Sequence, residues 1–171
     1  LMNLYDKIRD IPDFPRPGII FRDITPLLQD PTALKQAVDA LIVELEPYDF
    51  DVIVAPEARG FILGAPLAYA LGKGFVPARK PGKLPGQTRK VTYELEYGFD
   101  SLEMHTDAIL PGQKVLIFDD LLATGGTILS TIKLVEEGGG EVVAAAFLIE
   151  LLDLNGRDLL KKYPVLSLLQ Y

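Results

Sequence analysis

A chain of 171 residues with 24 acidic and 17 basic side chains has a formal charge of −7, which argues against general binding to nucleic acid. The absence of cysteine excludes disulfides, thiolate zinc sites and a cysteine nucleophile. A single histidine, His105, leaves little room for a histidine-rich metal site or a Ser-His-Asp triad.

Hydrophobic residues make up 49% of the chain, which is enough for the core of one domain over residues 1–171. No apolar stretch approaches the length of a membrane span, and nothing near the N-terminus resembles a signal peptide. We therefore expect a cytoplasmic location and no membrane partner.

The hydrophobic pattern predicts an alternation of helices and strands. Predicted helices cover residues 31–45, 60–71 and 127–137, and predicted strands cover residues 51–55, 74–78, 114–119 and 141–150. This order predicts an α/β fold with a mainly parallel twisted sheet flanked by helices. Two short alternating runs, 91–97 and 101–106, predict an antiparallel hairpin or flap.

Ligands bind beyond the carboxyl ends of the strands in such a sheet, so the segments that follow the strands are the places where functional residues are expected. After the first strand, "APEARG" places Glu57 and Arg59 at a turn that opens a helix at Gly60. In one interpretation the two side chains pair with each other. In the other, the backbone N–H groups of this turn bind an anionic group and Arg59 extends into the cleft.

The segment after the second strand, "ARKPGKLPGQTRK", is a local cluster of positive charge on an acidic chain. Its basic residues are Arg79, Lys80, Lys83, Arg89 and Lys90. One interpretation is a solvated loop; the other is a lid that receives a polyanionic small molecule and excludes water.

The N-terminal motif "PGIIFRDIT" has a purely structural interpretation. Phe21 fits a core position, and Arg22 and Asp23 fit a surface ion pair.

The third strand ends in two adjacent carboxylates, Asp119 and Asp120, followed by the small residues Ala123, Thr124, Gly125, Gly126 and Thr127. A helix cap explains one carboxylate and makes Thr124 or Thr127 the N-cap. It does not explain Gly-Gly at a helix start, which weakens the helix but lets backbone N–H groups approach a ligand. The stretch predicts a site where the helix N-terminus binds a phosphate and the carboxylates bind the hydroxyls of the attached sugar.

Taken together, these motifs resemble a known family. "VLIFDDLLATGGT" is similar to the phosphoribosyl-pyrophosphate motif of the type I phosphoribosyltransferases, whose fold adds a small hood and a β-hairpin flap to the sheet. "FPRPGIIFRDIT", "EARGFILG", "RKPGKLPG" and "YELEYG" extend the resemblance, in order, to the adenine-specific enzymes of that family.

The resemblance implies transfer of ribose 5-phosphate from 5-phosphoribosyl 1-pyrophosphate (PRPP) to N9 of adenine, giving AMP and pyrophosphate with Mg²⁺ as cofactor. It also implies a homodimer, a hood over residues 1–30, and a lid and flap over residues 79–106. A cis peptide at Glu57–Ala58 is typical of the family's turn before Arg59.

The resemblance assigns a role to each matching residue. Asp119 and Asp120 would hold the ribose hydroxyls, directly or through the shell of a Mg²⁺ that PRPP itself carries and to which no protein side chain binds directly. Residues 123–127 would bind the 5-phosphate. Pyrophosphate would be met by Arg59, Arg79, Lys80 and Lys83, and adenine by Ile20, Phe21 and Leu151.

Glu96 would be the general acid–base group near the purine, with Tyr97 beside it on the flap and Arg59 as a further catalytic residue. Three alternatives stay open: another base (hypoxanthine, guanine, xanthine or orotate), a PRPP sensor without catalysis, and a flavodoxin-like binding domain. A sensor that acts on DNA would need a DNA-binding module, for which 171 residues at charge −7 leave no room.

The role of Glu96 gives a first prediction. Glu96→Gln is expected to lower kcat by roughly 10²–10⁴-fold, the usual contribution of one acid–base residue. Steady-state and single-turnover kinetics measure the effect. An unchanged kcat, with chemistry shown to be rate-limiting by single turnover, would exclude Glu96 from that role.

Overall fold

The computed structural model describes residues 1–95 and 98–171. One parallel sheet lies at its centre, with one layer of buried side chains on each face. Within these residues the strands are β1 Arg9–Pro12, β2 Ile20–Asp23, β3 Val52–Pro56, β4 Gly74–Ala78, β5 Thr88–Glu94, β6 Phe99–His105, β7 Lys114–Leu122, β8 Glu141–Glu150 and β9 Val165–Gln170. The helices are α1 Thr25–Gln29, α2 Pro31–Leu45, α3 Arg59–Leu71 and α4 Gly126–Glu137.

The central sheet has the order β4-β3-β7-β8-β9, and all of its neighbouring strands run parallel. Alternating side chains of the strands pack on opposite faces. Ile53, Leu116 and Leu148 belong to the core that includes α2 and α3, whereas Val54 and Ile117 belong to the core that includes α4. Both faces are covered, as expected of a parallel sheet, so the predicted fold class is confirmed.

Two antiparallel pairs lie outside this sheet. β1 pairs with β2 near the N-terminus, and β5 pairs with β6 as the predicted hairpin. The sequence pattern missed β1, β2 and β9, which are short or only partly buried. Among the described residues, no helix has the length and apolar character needed to cross a membrane.

Two local expectations were wrong. β7 does not end at Asp119 but continues to Leu122, with Asp119 opposite Phe147 and Leu122 opposite Glu150 on β8. The backbone pairing with β8 therefore holds both aspartates in the strand. The N-cap of α4 is Gly125 in the left-handed region, at φ +90°, so neither Thr124 nor Thr127 caps that helix.

Candidate functional site

A crevice lies where β7 leads into α4. Its volume is about 190 Å³, and it is lined by Arg59, Asp119, Asp120, Leu121, Leu122, Ala123, Thr124, Gly125, Gly126, Thr127 and Ile128. Eight of these eleven residues were predicted from the sequence as site residues. The carboxylates and the small-residue loop thus share one cavity at the carboxyl end of a parallel strand, where ligands bind in open α/β sheets.

The two aspartates have different surroundings. Asp120 is only 3% exposed, and its Oδ2 lies 3.1 Å from Nε of Arg59. Oδ1 of Asp119 accepts a hydrogen bond from the Asp120 N–H at 2.8 Å. Burial, and secondly the neighbouring charge of Asp120, raise the pKa of Asp119 well above its ordinary value. Burial also raises the pKa of Asp120, although the Arg59 guanidinium opposes this shift.

The loop of residues 123–127, here called the phosphate loop, presents the N-terminus of α4 to the crevice. Gly125 adopts the left-handed backbone that side chains disfavour, and α4 begins at Gly126 without a side-chain cap. The hydroxyls of Ser130 and Thr131 donate to the carbonyls of Gly126 and Thr127, at 2.9 and 2.8 Å. Because no side chain caps the helix, its first N–H groups are suited to an anion.

A second glycine supports this loop from behind, and sequence reasoning missed it. A Cβ on Gly125 would lie 2.7 Å from the carbonyl oxygen of Gly156, and a Cβ on Gly156 would overlap the carbonyl of Ala123. The two backbone segments therefore touch closely only because neither glycine carries a side chain. The "NG" at 155–156 was the available signal, since it follows a buried strand on the ligand side of the sheet.

Arg59 begins α3 and connects the crevice to the N-terminal strands. The alternative in which Arg59 pairs with Glu57 was wrong, because Arg59 pairs with Asp120 instead. Its guanidinium carbon lies 4.9 Å from the centre of the Phe21 ring, within range of a cation–π contact. The Glu57–Ala58 peptide is cis, as the resemblance implied.

Gly60 allows this approach of α3 to the sheet. A Cβ on Gly60 would lie 3.0 Å from Oδ1 of Asp119 and 3.3 Å from the Cβ of Ala55, so a side chain at this position would push the helix away. The position of Arg59 relative to the aspartates therefore depends on the absence of a side chain at the next residue.

The three residues predicted to contact adenine lie in two separate parts of the chain. Phe21, on β2, is half-buried and packs edge-to-face on Phe14 with ring centres 5.2 Å apart, so it is not a core residue. Ile20 is exposed beside it. Leu151 follows β8, is half-buried, and donates its N–H to the carbonyl of Leu122 at 3.0 Å.

The expected Arg22–Asp23 surface pair was also wrong. Across the β1–β2 pair, Arg22 contacts Asp10 at 2.5 Å and Asp23 contacts Arg9 at 2.6 Å. Hydrogen bonds from Thr25, partly offset by burial and supported by Arg9, lower the pKa of Asp23 to about 2. Adjacent residues on a strand face opposite sides, so each finds its partner on the neighbouring strand.

The basic segment does not line the small crevice, and its first two cations pair with carboxylates. Glu57 Oε1 accepts from the Lys80 N–H at 2.6 Å and from Arg79 Nε at 3.2 Å. The ammonium of Lys80 pairs with Asp100 on β6. Burial opposes the charge on Lys80, but the hydrogen bond to Asp100 leaves the pKa of Lys80 raised. Lys83 is exposed in the turn that follows.

Tyr93 links the β5–β6 flap to the phosphate loop. Its hydroxyl donates to Asp100 at 3.2 Å and lies 3.5 Å from the hydroxyl of Thr127. Burial raises the pKa of Tyr93, so the phenol keeps its proton. Glu96 and Tyr97, predicted as the acid–base group and its flap neighbour, lie outside the described residues. Tyr93 and Asp100 were not predicted as site residues.

The surroundings of Asp119 predict a gain in stability when its charge is removed. A carboxyl whose folded pKa is raised destabilises the fold above that pKa, and the destabilisation disappears as pH falls through it. Asp119→Asn is therefore expected to raise Tm at pH 8, by about 2–4 °C for each kcal/mol recovered, and to change it less at pH 5. Thermal unfolding at both pH values measures this.

Asp120→Asn serves as the matched control, because it removes a charge that Arg59 already compensates. Its gain in Tm at pH 8 is expected to be smaller than that of Asp119→Asn. A lower Tm for Asp119→Asn at pH 8 than for the wild type would contradict the argument.

Comparison with known proteins agrees with this geometry. The sequence model of the phosphoribosyl transferase domain family matches residues 27–169 of this chain. The chain is 63% identical over 169 residues to adenine phosphoribosyltransferase of Desulforamulus reducens, covering 99% of this chain and 98% of the relative.

Solved structures are similar in fold as well as in sequence. The adenine phosphoribosyltransferase of Thermoanaerobacter pseudethanolicus has a TM-score of 0.97 and 57% identity, with 98% of each chain covered. The enzyme of Saccharomyces cerevisiae, solved in complex with an imino-altritol bisphosphate and adenine, has a TM-score of 0.93 and 42% identity, with 96% of each chain covered. With a matching domain model, a shared fold and this identity along the whole chain, the protein belongs to the adenine phosphoribosyltransferase family.

Proposed function

We propose that this chain transfers the 5-phosphoribosyl group of PRPP to N9 of adenine, releasing pyrophosphate and forming AMP, in the crevice at the end of β7. As a member of its family the chain is a glycosyltransferase of purine salvage. The observation that carries the proposal is the joint placement of Asp119, Asp120 and the phosphate loop in one cavity, with Arg59 against Phe21 at its side.

The 5-phosphate of PRPP is proposed to bind at the phosphate loop. The N–H groups at the start of α4 are free of a side-chain cap, and the helix dipole favours a dianion there. The hydroxyls of Thr124 and Thr127 lie on the same loop. Asp119 and Asp120 lie on β7, just before this loop, and line the same cavity. They are proposed to accept hydrogen bonds from the two ribose hydroxyls.

Pyrophosphate is proposed to bind Arg59, Arg79, Lys80 and Lys83. Because Arg79 and Lys80 pair with Glu57 and Asp100, binding exchanges a protein carboxylate for a pyrophosphate oxygen on each cation. These cations stabilise the negative charge that develops on the leaving group as the C1–O bond breaks.

The residues present fit Mg²⁺ held mainly by the substrate. Within residues 1–95 and 98–171, no group of three or more carboxylate or histidine side chains forms a metal cage. The two crevice carboxylates are nevertheless the oxygen donors that Mg²⁺ takes when it binds through one or two carboxylates and substrate phosphates. Asp119 and Asp120 would lie near the ion, which neutralises charge on the pyrophosphate when bound.

Adenine is proposed to stack on Phe21, with Leu151 as a second apolar contact and backbone groups of Ile20 as hydrogen-bonding partners. Pro12, the register partner of Ile20, has no N–H, so the Ile20 carbonyl receives no hydrogen bond from it. Glu96 is proposed as the acid–base group and Tyr97 as its flap neighbour. The N–H of Leu95 donates to the Gly98 carbonyl at 2.9 Å, which joins the two flap strands on either side of those residues.

We also propose that residues 1–171 form one domain in which residues 1–30 act as a hood and residues 79–106 as lid and flap. Closure of the flap would exclude water that could intercept the cationic ribose. A cytoplasmic location stays a prediction from the sequence.

Turnover with a panel of bases tests the proposed function. Pyrophosphate release is measured with PRPP and Mg²⁺ while adenine, hypoxanthine, guanine, xanthine and orotate are offered separately. Activity with adenine alone is expected. Activity with another base would overturn the roles of Ile20, Phe21 and Leu151 but leave the sugar-phosphate site intact, and tight PRPP binding without any turnover would favour a sensor.

A homodimer is the assembly we propose, because α3 carries an apolar face that stays exposed among the described residues. Ile62 is 44% and Tyr69 is 89% exposed on this face, with Pro66 exposed between them. Exposed apolar patches of this kind mark protein–protein contacts.

Light scattering at micromolar concentration is expected to give twice the 18.8 kDa mass of one chain. Ile62→Glu should shift the population towards monomer because it places a charge in the contact, whereas Lys35→Glu on the exposed side of α2 should not. A wild-type monomer would refute the assembly.

A further inference from the structure

The segment of residues 151–156, which follows β8, contacts residues that line the crevice at both of its ends. It begins with Leu151, next to β8, and it ends with Gly156, whose backbone lies against the phosphate loop at Ala123 and Gly125. Leu151 is fixed by its own hydrogen bond to Leu122, on β7. Gly156 has no side chain with which to fix its position, so its neighbours must hold it.

An ion pair closes this segment. Arg157 directly follows Gly156, and its guanidinium donates to both oxygens of Glu150, at 2.6 Å from Nε and 2.8 Å from Nη2. Its third nitrogen, Nη1, donates to the Val165 carbonyl at 2.8 Å. Three donors in one plane fix the guanidinium more tightly than a single contact would.

Glu150 is a fixed anchor for this arginine. It ends β8, is 3% exposed, and accepts a further hydrogen bond from the Ser167 hydroxyl on β9 at 2.6 Å. The hydrogen bonds from Arg157 lower the pKa of Glu150, so the carboxylate stays charged. The anchor therefore belongs to the rigid central sheet, whereas the group it holds belongs to the segment behind the phosphate loop.

We propose that Glu150 and Arg157 are a positioning pair for PRPP, which holds Gly156 against the phosphate loop and thereby fixes the N–H groups that receive the 5-phosphate. The inference rests on the proposed function of the crevice. Neither residue lines the crevice, so the pair acts through Gly156, Ala123 and Gly125 and not by touching the substrate.

The physical consequence is a selective effect on one substrate. When Arg157 is lost, the backbone of Gly156 is free to move from the loop, and small displacements of oriented donors weaken binding strongly. The Leu151 contact with adenine depends less on the pair, because its N–H bond to Leu122 remains.

The experiment compares three variants by thermal unfolding and by initial-rate kinetics with each substrate varied. Arg157→Met leaves the buried Glu150 carboxylate without its cation, so Tm falls, and KM for PRPP rises roughly 10- to 100-fold with a smaller change in KM for adenine. Combining Glu150→Met with Arg157→Met replaces the pair by apolar side chains, so Tm recovers towards the wild type while KM for PRPP stays raised.

Lys161→Met is the matched control, because it removes one positive charge at an exposed position of the same connection between β8 and β9. It is expected to leave Tm and both KM values unchanged. If Arg157→Met does not fold, Arg157→Lys takes its place: it keeps the charge but loses the fork, and KM for PRPP still rises.

Recovery of KM for PRPP together with Tm in the double variant would mean that the pair serves stability alone, and would overturn the proposal. An unchanged KM for PRPP in Arg157→Lys or Arg157→Met would do the same. Should the wild type show no turnover with any base, the proposed function fails, and calorimetric titration of PRPP into the same variants still tests the pair.

Discussion

The contact between Arg59 and Asp120 is the interaction on which the geometry of the crevice depends. β7 continues as a strand through both aspartates, so pairing with β8 fixes where their carboxylates lie. Arg59 is the first residue of α3, and Gly60 lets this helix lie against the sheet, so the Arg59 side chain reaches Asp120. The same guanidinium lies over Phe21. One side chain therefore connects the sheet, a helix and the N-terminal β-pair, and through them the proposed ribose site and the proposed base site.

Holding two buried carboxylates on the central strand of a sheet is unfavourable for stability, because burial disfavours their charged forms and raises the pKa of each. The surrounding fold supplies the compensation: β7 is apolar from Val115 to Phe118, and buried side chains cover both faces of the sheet. Fixed dipoles and charges that are already oriented need little rearrangement when charge develops on a substrate. The unfavourable placement of Asp119 and Asp120 is in this sense part of the site and not a defect of the fold.

Much of this arrangement could be predicted from the sequence. The helix at residues 31–45 and the strands at 74–78 and 141–150 have the predicted bounds, because apolar periodicity is strong there. The crevice residues were predicted because small residues after paired acids have few structural explanations. Partner choice could not be predicted: Glu57 pairs with Arg79 rather than Arg59, and Asp23 with Arg9 rather than Arg22. Such partners are set by which strands become neighbours, and Gly156 was missed for the same reason.

Three of the four cations proposed to bind pyrophosphate share a property that no single motif reveals. Arg59, Arg79 and Lys80 each pair with a carboxylate of the chain: Asp120, Glu57 and Asp100. A guanidinium or ammonium without such a partner would be repelled by its neighbours and would rotate freely. The internal carboxylates hold these cations near the positions that a ligand needs, so binding exchanges one set of oxygens for another. Because each exchange gives up an existing ion pair, affinity must come from the number of contacts made together, which favours a ligand with many phosphate oxygens over a simple anion.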